Sequence, residues 1–183
     1  MREVSEMTKS HLRNAFSGES QANMRYQIYS EVAENEGYPN VARLFGAISY
    51  AERVHATNHL RRSPEEAGTA VAETPYGVGD TVANLQKGID GETFEVEEMY
   101  PTYLKVAEMQ NEGAAKKSFE WALEAEKTHA KMYKDAKKVV EKGEDPDIGD
   151  IQVCSVCGHT VEGEAPDVCP VCDTRDNYVT FEE

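Results

Sequence analysis

Two Glu-x-x-His pairs, Glu52 with His55 and Glu126 with His129, lie in separate segments that have the apolar periodicity of helices. A Glu and a His three residues apart on a helix project from the same face, one turn apart. One such pair is common. Two pairs on separate helices, with inward-facing Glu partners, are how a four-helix bundle holds two metal ions in its core. The pairs therefore predict a mainly α-helical bundle and a redox metalloprotein.

The size and charge of the chain limit the class of protein to which it can belong. Its 183 residues can hold one sizeable domain and a small module. The formal net charge of -15 argues against nucleic acid as a partner, because phosphate binding needs clustered Lys and Arg. No apolar run approaches the roughly 18 residues of a membrane span. The N-terminus carries Arg2 and Glu3 and has no apolar signal-peptide core, so we expect a cytoplasmic protein without a membrane segment.

Four helical segments follow from the apolar periodicity and from the Gly and Pro positions. They are predicted at about residues 5–35, 40–62, 81–111 and 114–142. Short links join the first segment to the second and the third to the fourth, which predicts two antiparallel hairpins. The long link at 65–79 predicts one crossover along the bundle. Pro101 lies inside the third segment, where a proline can kink a helix.

Several carboxylates fall on, or within one turn of, the core-facing stripes and are candidate metal ligands. They are Glu19, Glu52, Glu95, Glu98 and Glu126. A buried carboxylate costs several kcal/mol unless it is paired or metal-bound. Five carboxylates and two imidazoles would repel one another without cations, and two divalent iron or manganese ions would remove that repulsion.

Other readings stay open for individual residues. A lone Glu such as Glu95 is usually solvated, and Glu92, one turn earlier, either supports the site or is exposed. His59 lies on the stripe of His55 but has no Glu three residues before it, so we interpret it as a residue of the core or of the end of the bundle. Tyrosines at helical spacing, such as Tyr26 after Glu19, are more often plain core than part of a site.

All four cysteines lie in the last thirty residues, in two Cys-x-x-Cys pairs. The pairs are Cys154 with Cys157 and Cys169 with Cys172. In a reducing compartment this spacing favours tetrahedral thiolate coordination over disulfides. The helical pattern ends near residues 143–146, which predicts a bundle at 1–145 and a cysteine module at 146–183. The module is shorter than the roughly 40 residues that usually fold unaided, so a metal would explain its stability.

At these residues the chain resembles the rubrerythrin family. The matching segments are Gly18–Ala22 with Tyr26, Glu52-x-x-His55, Gly91–Pro101 and Glu126-x-x-His129. The tail resembles the rubredoxin-like domain of that family, so the resemblance implies a ferritin-like diiron bundle followed by an iron domain. One departure is Asp173, which follows Cys172 where such a loop often has Gly, so a less tight loop is expected.

The resemblance also implies ligand roles. Glu52 and Glu126 would bridge two irons. Glu19 would bind one iron, and Glu95 with His129 the other. Glu98 and His55 would exchange on the first iron between oxidised and reduced states. Tyr26 and Tyr103 match the family's tyrosines beside the site, and Cys154, Cys157, Cys169 and Cys172 would hold one further iron, although zinc accepts the same spacing.

The function implied by the resemblance is a peroxidase of oxidative-stress defence that reduces hydrogen peroxide to water. Electrons would come from rubredoxin or an NADH-linked rubredoxin-type reductase and pass through the four-cysteine iron. An extended linker at residues 142–149 would leave the two centres of one chain far apart, so a head-to-tail homodimer or higher oligomer is expected to bring them together. Two alternatives stay open, namely a ferroxidase or iron-storage protein on the same bundle, and a zinc knuckle for partner docking.

Overall fold

The computed structural model describes residues 4–63 and 68–182. The charged start of the chain at Arg2 and Glu3 lies outside the described residues, and so do residues 64–67 at the start of the predicted connection. Among the described helices, none combines the length and the apolar character needed to cross a membrane.

The described chain contains the four predicted helical segments, and the third is subdivided. The elements are α1 (Glu6–Asn35), α2 (Pro39–Arg62), α3 (Thr81–Phe94), a π-helical turn (Glu95–Met99), α4 (Tyr100–Met109) and α5 (Gly113–Val140). Gly37 ends α1 with a φ of 87°, which suits a residue without Cβ, and Pro39 begins α2 at a position that needs no N–H donor. Asp80 caps α3 by accepting a hydrogen bond of 2.8 Å from the Ala83 N–H. The predicted bundle is confirmed.

The π-helical turn ends two residues before Pro101, the proline at which the sequence predicts a kink. The Tyr100 N–H bonds to the Glu95 carbonyl, five residues back, instead of the usual four. Pro101 has no N–H to continue the α-helical pattern. The wider turn rotates the residues after Glu95 relative to a regular α-helix, and this decides which of them face the core.

The helices pack as two hairpins, with α1 along α2, and α3 and α4 along α5. The described part of the second-to-third connection, residues 68–80, has no regular secondary structure and runs beside α1. Side chains of α1 hold it at successive points, from Asn14 bonding to the Val71 carbonyl at one end to Tyr29 bonding to the Gly77 carbonyl at the other. The predicted crossover along the bundle is therefore present.

The cysteine module contains a three-stranded antiparallel sheet with the strand order β2-β1-β3. The strands are β1 (Ile151–Cys154), β2 (Thr160–Glu162) and β3 (Tyr178–Phe181). Gln152 of β1 pairs with Val161 on one side and with Thr180 on the other. The sheet places the first Cys-x-x-Cys loop at the end of β1.

The module packs against the bundle of its own chain. Ile148, Ile151 and Val153 are buried in the same apolar core as α2 and α5, and the Tyr50 and Phe181 rings lie 5.8 Å apart. The expectation that one chain keeps its two centres far apart is therefore wrong, because these buried side chains anchor the link directly after α5.

Candidate metal centres

The two Glu-x-x-His pairs meet in the middle of the bundle. Nδ1 of His55 lies 2.7 Å from a Glu126 oxygen and 3.1 Å from a Glu52 oxygen. Nδ1 of His129 lies 2.6 Å from the other Glu126 oxygen and 3.4 Å from the other Glu52 oxygen. All four side chains are buried. Each carboxylate thus lies between both imidazoles, which is the arrangement of two bridging groups.

Two further carboxylates extend this cluster into two overlapping sets of ligand atoms. One set contains Glu19, Glu52, His55 and Glu126, and the other contains Glu52, Glu92, Glu126 and His129. The ligand atoms within each set all lie within 4.8 Å of one another. Because the sets share two carboxylates, they define two adjacent metal positions.

The third helical segment contributes Glu92 to the cluster. The sequence left two readings of Glu92 open, one as a residue that supports the site and one as an exposed residue. Glu95 is half-buried and lies outside both sets, but its pKa is raised by burial and then by the charge of Glu19, so it lies near that carboxylate. Glu98 has an exposed side chain and joins neither set. The structure therefore does not place Glu98 where a ligand would lie, because the π-helical turn rotates it away from the face of Glu92 and Glu95.

Two tyrosine hydroxyls hold carboxylates of the cluster. Tyr26 donates a hydrogen bond of 2.5 Å to Glu92, and Tyr100 donates to Glu19. Tyr103, the tyrosine expected beside the site, instead donates to the Asn14 side-chain carbonyl at 2.5 Å. Sequence reasoning missed Tyr100, although its place five residues after Glu95 puts it one π-helical turn further on.

The charges within the cluster show that it favours cations. Burial raises the pKa of Glu19 and Glu92, and the charges of Glu52 and Glu126 raise it further. Burial opposes the charged form of His55 and His129, but the Glu126 and Glu52 carboxylates, together with Glu92 at His129, outweigh burial and raise the pKa of both rings. Glu19, Glu92, His55 and His129 therefore hold their protons more tightly than usual, because the carboxylates of the cluster need positive charge beside them.

Unpaired atoms test whether metal ions fit this site. Buried carboxylate oxygens that accept no hydrogen bond include Glu19 Oε2, Glu52 Oε1 and Glu92 Oε2. Leaving such atoms without a partner is costly, and metal coordination removes the cost. Carboxylate and imidazole ligands of this kind, with Glu-x-x-His pairs on two helices, are those of diiron and dimanganese bundles. The residues present fit a dinuclear metal site.

The four cysteines also form a compact group. Sγ of Cys154 lies 3.7 Å from that of Cys172, and Sγ of Cys157 lies 3.5 Å from that of Cys169. A tetrahedral site with metal–sulfur bonds of about 2.3 Å places its sulfur atoms about 3.8 Å apart, so the spacing fits. This confirms metal coordination over disulfides as the reading of the two Cys-x-x-Cys pairs.

Asp173 does not loosen its loop. It adopts a left-handed φ of 59°, and its N–H bonds to the Cys169 carbonyl at 2.9 Å. Gly158, the corresponding residue of the first loop, bonds to the Cys154 carbonyl at the same distance. The expectation of a less tight second loop is wrong, because an Asp tolerates the left-handed region better than most residues.

The two metal centres touch each other through the first cysteine loop. A Cβ atom at Gly158 would lie 2.6 Å from Cδ2 of His55 and still nearer to its Nε2, so only glycine fits there. Thr160 donates to the Gly158 carbonyl at 3.0 Å and lies 2.9 Å from Nε2 of His129. Since the Thr160 proton is already used, the hydroxyl accepts from the Nε2–H of His129, which leaves Nδ1 free for a metal.

A four-helix bundle with a dinuclear carboxylate–histidine site, followed by a four-cysteine sheet module, defines a ferritin-like diiron protein with a rubredoxin-like domain. Two family models match the chain in the same order. The rubrerythrin model matches residues 10–137, and the model of the rubrerythrin rubredoxin-like domain matches residues 152–178. The chain belongs to the rubrerythrin family.

Individual relatives agree with this assignment. The chain is 43% identical to rubrerythrin-2 of Clostridium acetobutylicum, over 96% of this chain and 97% of the relative. It is 31% identical to nigerythrin of Nitratidesulfovibrio vulgaris, over 95% of this chain and 86% of the relative. A solved structure of mixed-valent nigerythrin superposes with a TM-score of 0.83 at 29% identity, over 94% of this chain and 86% of that one. Another shows nigerythrin fully reduced and all ferrous, with a TM-score of 0.80.

Proposed function

We propose that this protein is a non-haem diiron peroxidase that reduces hydrogen peroxide to water, with electrons relayed through iron in the four-cysteine site. The observation that carries the proposal is the contact between the two centres, through Gly158 at His55 and Thr160 at His129. A thiolate-bound iron is a one-electron carrier, and the contact gives it a recipient beside it. Membership of the rubrerythrin family supports the same function.

The proposed ligand arrangement follows the two sets of atoms. Glu52 and Glu126 would hold both metals, Glu19 and His55 would bind one of them, and Glu92 and His129 would bind the other. Glu92 thus takes the place that sequence reasoning assigned to Glu95. We assign the redox-linked exchange with His55 to Glu95 instead of Glu98, since Glu95 is half-buried and lines the same cavity as Tyr26, whereas Glu98 is exposed.

The surrounding side chains orient these ligands. A reduced diiron centre supplies two electrons to the O–O bond, and its carboxylates stabilise the oxidised product. Tyr26 binds one oxygen of Glu92 and leaves the other without a hydrogen bond, so that oxygen is available to a metal. Tyr100 does the same for Glu19. Hydroxyl donors of this kind fix the direction of a ligand's lone pairs.

The contact within one chain changes the proposed electron route. The sequence predicts a head-to-tail dimer on the premise that the two centres of one chain lie far apart. With Gly158 beside His55 of the same chain, one protomer contains the whole route. The homodimer, the rubredoxin or NADH-linked reductase as donor, and the cytoplasmic location stay predictions.

The test is steady-state consumption of hydrogen peroxide by the full chain with NADH and a rubredoxin-type reductase. Glu52→Gln should abolish turnover because it removes a bridging carboxylate, and Glu98→Gln, at an exposed position, is the matched control that should keep it. Cys169→Ser should abolish turnover with the reductase but leave one round of oxidation after chemical reduction. Turnover in the Cys169 variant equal to that of the native chain would refute the relay. Rapid oxidation of ferrous iron by oxygen, without peroxide turnover, would favour a ferroxidase.

A further inference from the structure

A cavity of about 320 Å³ lies beside the metal cluster, between α1, α3 and the connection that crosses the bundle. Tyr26 and Glu95 line it on the side of the cluster. Phe94, which is half exposed, marks its side toward the surface. The cavity therefore joins the outside of the bundle to the neighbourhood of the metals.

Two glycines inside helices line this cavity, Gly18 of α1 and Gly91 of α3. A glycine inside a helix costs roughly 0.5–1 kcal/mol relative to alanine. A Cβ at the buried Gly18 would meet no atom within 4 Å, and at Gly91 the nearest atom is the Tyr26 hydroxyl, 3.8 Å away. Packing does not require either glycine. Each glycine lowers the stability of its helix and leaves open space, next to Glu19 in α1 and next to Glu92 in α3.

The wall formed by the connection is held in place by polar side chains of α1. Asn14 donates to the Val71 carbonyl at 3.0 Å, and Gln21 donates to the Ala72 carbonyl at 3.1 Å. Asn14 also accepts the hydrogen bond from Tyr103, which lines the cavity. The space is thus bounded by elements that hydrogen bonds hold in place.

The lining suits an amphiphilic molecule. Tyr26 and Glu95 provide polar groups near the metals, while Ala72, Pro75 and Met99 provide apolar surface. The volume is about ten times the ~30 Å³ share of a water molecule and reaches the range of roughly 300–1,000 Å³ typical of small-molecule sites. Hydrogen peroxide, little larger than water, would fill only a small part of it.

We propose that this cavity admits small organic hydroperoxides, with the O–O group toward the metals and the alkyl or aryl group against Ala72, Pro75 and Met99. The inference rests on the proposed peroxidase function and extends its substrate class. In the reaction the O–O bond of ROOH breaks, two electrons come from the reduced metal centre, and two protons from solvent complete ROH and water. The products are therefore an alcohol and water.

The kinetic test compares cumene hydroperoxide with hydrogen peroxide in the full chain, using the same reductase. Gly18→Leu fills the cavity, and Gly46→Ala, at a helical glycine of α2 outside the cavity, is the control. We expect the ratio of kcat/KM for cumene hydroperoxide to that for hydrogen peroxide to fall about 10- to 200-fold in Gly18→Leu, the range for loss of apolar pocket space. The ratio should stay within about twofold in Gly46→Ala.

A binding measurement on the full chain loaded with diamagnetic zinc tests the cavity without turnover. Adding 2-phenyl-2-propanol, the alcohol that reduction of cumene hydroperoxide leaves, should shift the ¹³C-methyl resonance of Met99. The signals of the exposed Met24 and Met109 should not move. Gly18→Leu should abolish the shift.

The outcomes separate this inference from the proposed function. Turnover of hydrogen peroxide without turnover of cumene hydroperoxide, or no shift of Met99, would overturn the substrate proposal and leave the peroxidase intact. An unchanged ratio in Gly18→Leu would show that organic substrates react elsewhere. Failure to reduce either peroxide would overturn the proposed function and this inference with it.

Discussion

Replacing Gly158 with alanine would perturb the contact between the cysteine module and the metal cluster. Gly158 has a φ of 84°, in the left-handed region, and an added Cβ would lie 2.6 Å from Cδ2 of His55. The His55 ring is 1% exposed and faces Glu52 and Glu126, so it cannot move aside without leaving the metal site. The module would instead have to shift away from the bundle.

The expected cost has two parts. An alanine in the left-handed region costs about 1–2 kcal/mol, and overpacking a rigid contact costs about 1–3 kcal/mol more. Gly163 provides a matched control in the same module, because its φ is 87° and a Cβ there would meet no atom within 4 Å. Gly163→Ala should carry only the first cost. We therefore expect Gly158→Ala to unfold more easily than Gly163→Ala, by about 1–3 kcal/mol.

The assay is urea unfolding of the metal-loaded full chain, followed by circular dichroism and by the thiolate–metal absorption. A second readout is the rate at which the bundle metals are reduced after mixing with a rubredoxin-type reductase, measured by stopped flow. That rate should fall in Gly158→Ala and remain near the native value in Gly163→Ala. Equal unfolding midpoints and equal rates in the two variants would refute the contact at His55.

Three further outcomes are expected. Glu92→Gln should lower the bundle metal content, measured by metal analysis, while the exposed Glu98→Gln retains it; equal loss in both would contradict the ligand placement. Glu52→Ala should empty both bundle positions and keep the cysteine-bound metal, and retention of two bundle metals would rule out bridging. In the metal-free chain, His55 and His129 have pKa values raised above the ordinary value of about 6.5. Their stabilising contribution is therefore complete below that pH and is lost as the pH rises through the raised values. The thermal midpoint of metal-free protein should fall as the pH rises above about 6.5, and a rising midpoint would contradict this reasoning.

Local spacing explains why much of this protein could be predicted. The Glu52 and His55 pair, the corresponding pair on α5 and the two Cys-x-x-Cys loops each depend on residues within one turn or one loop. Apolar periodicity and short links likewise determine the helices and their antiparallel pairing. Because these features need only neighbouring residues, the bundle, both metal centres and the family could be inferred before the structure was known.

The remaining features depend on tertiary structure. The π-helical turn at Glu95–Met99 changes which of the residues after Glu95 face the core, so Tyr100 joins the cluster and Glu98 points outward. The contact between Gly158 and His55 joins two positions that are 103 residues apart in the chain. A regular period of 3.6 residues cannot predict a change in that period, and contacts distant in the chain follow from packing, which local sequence does not encode.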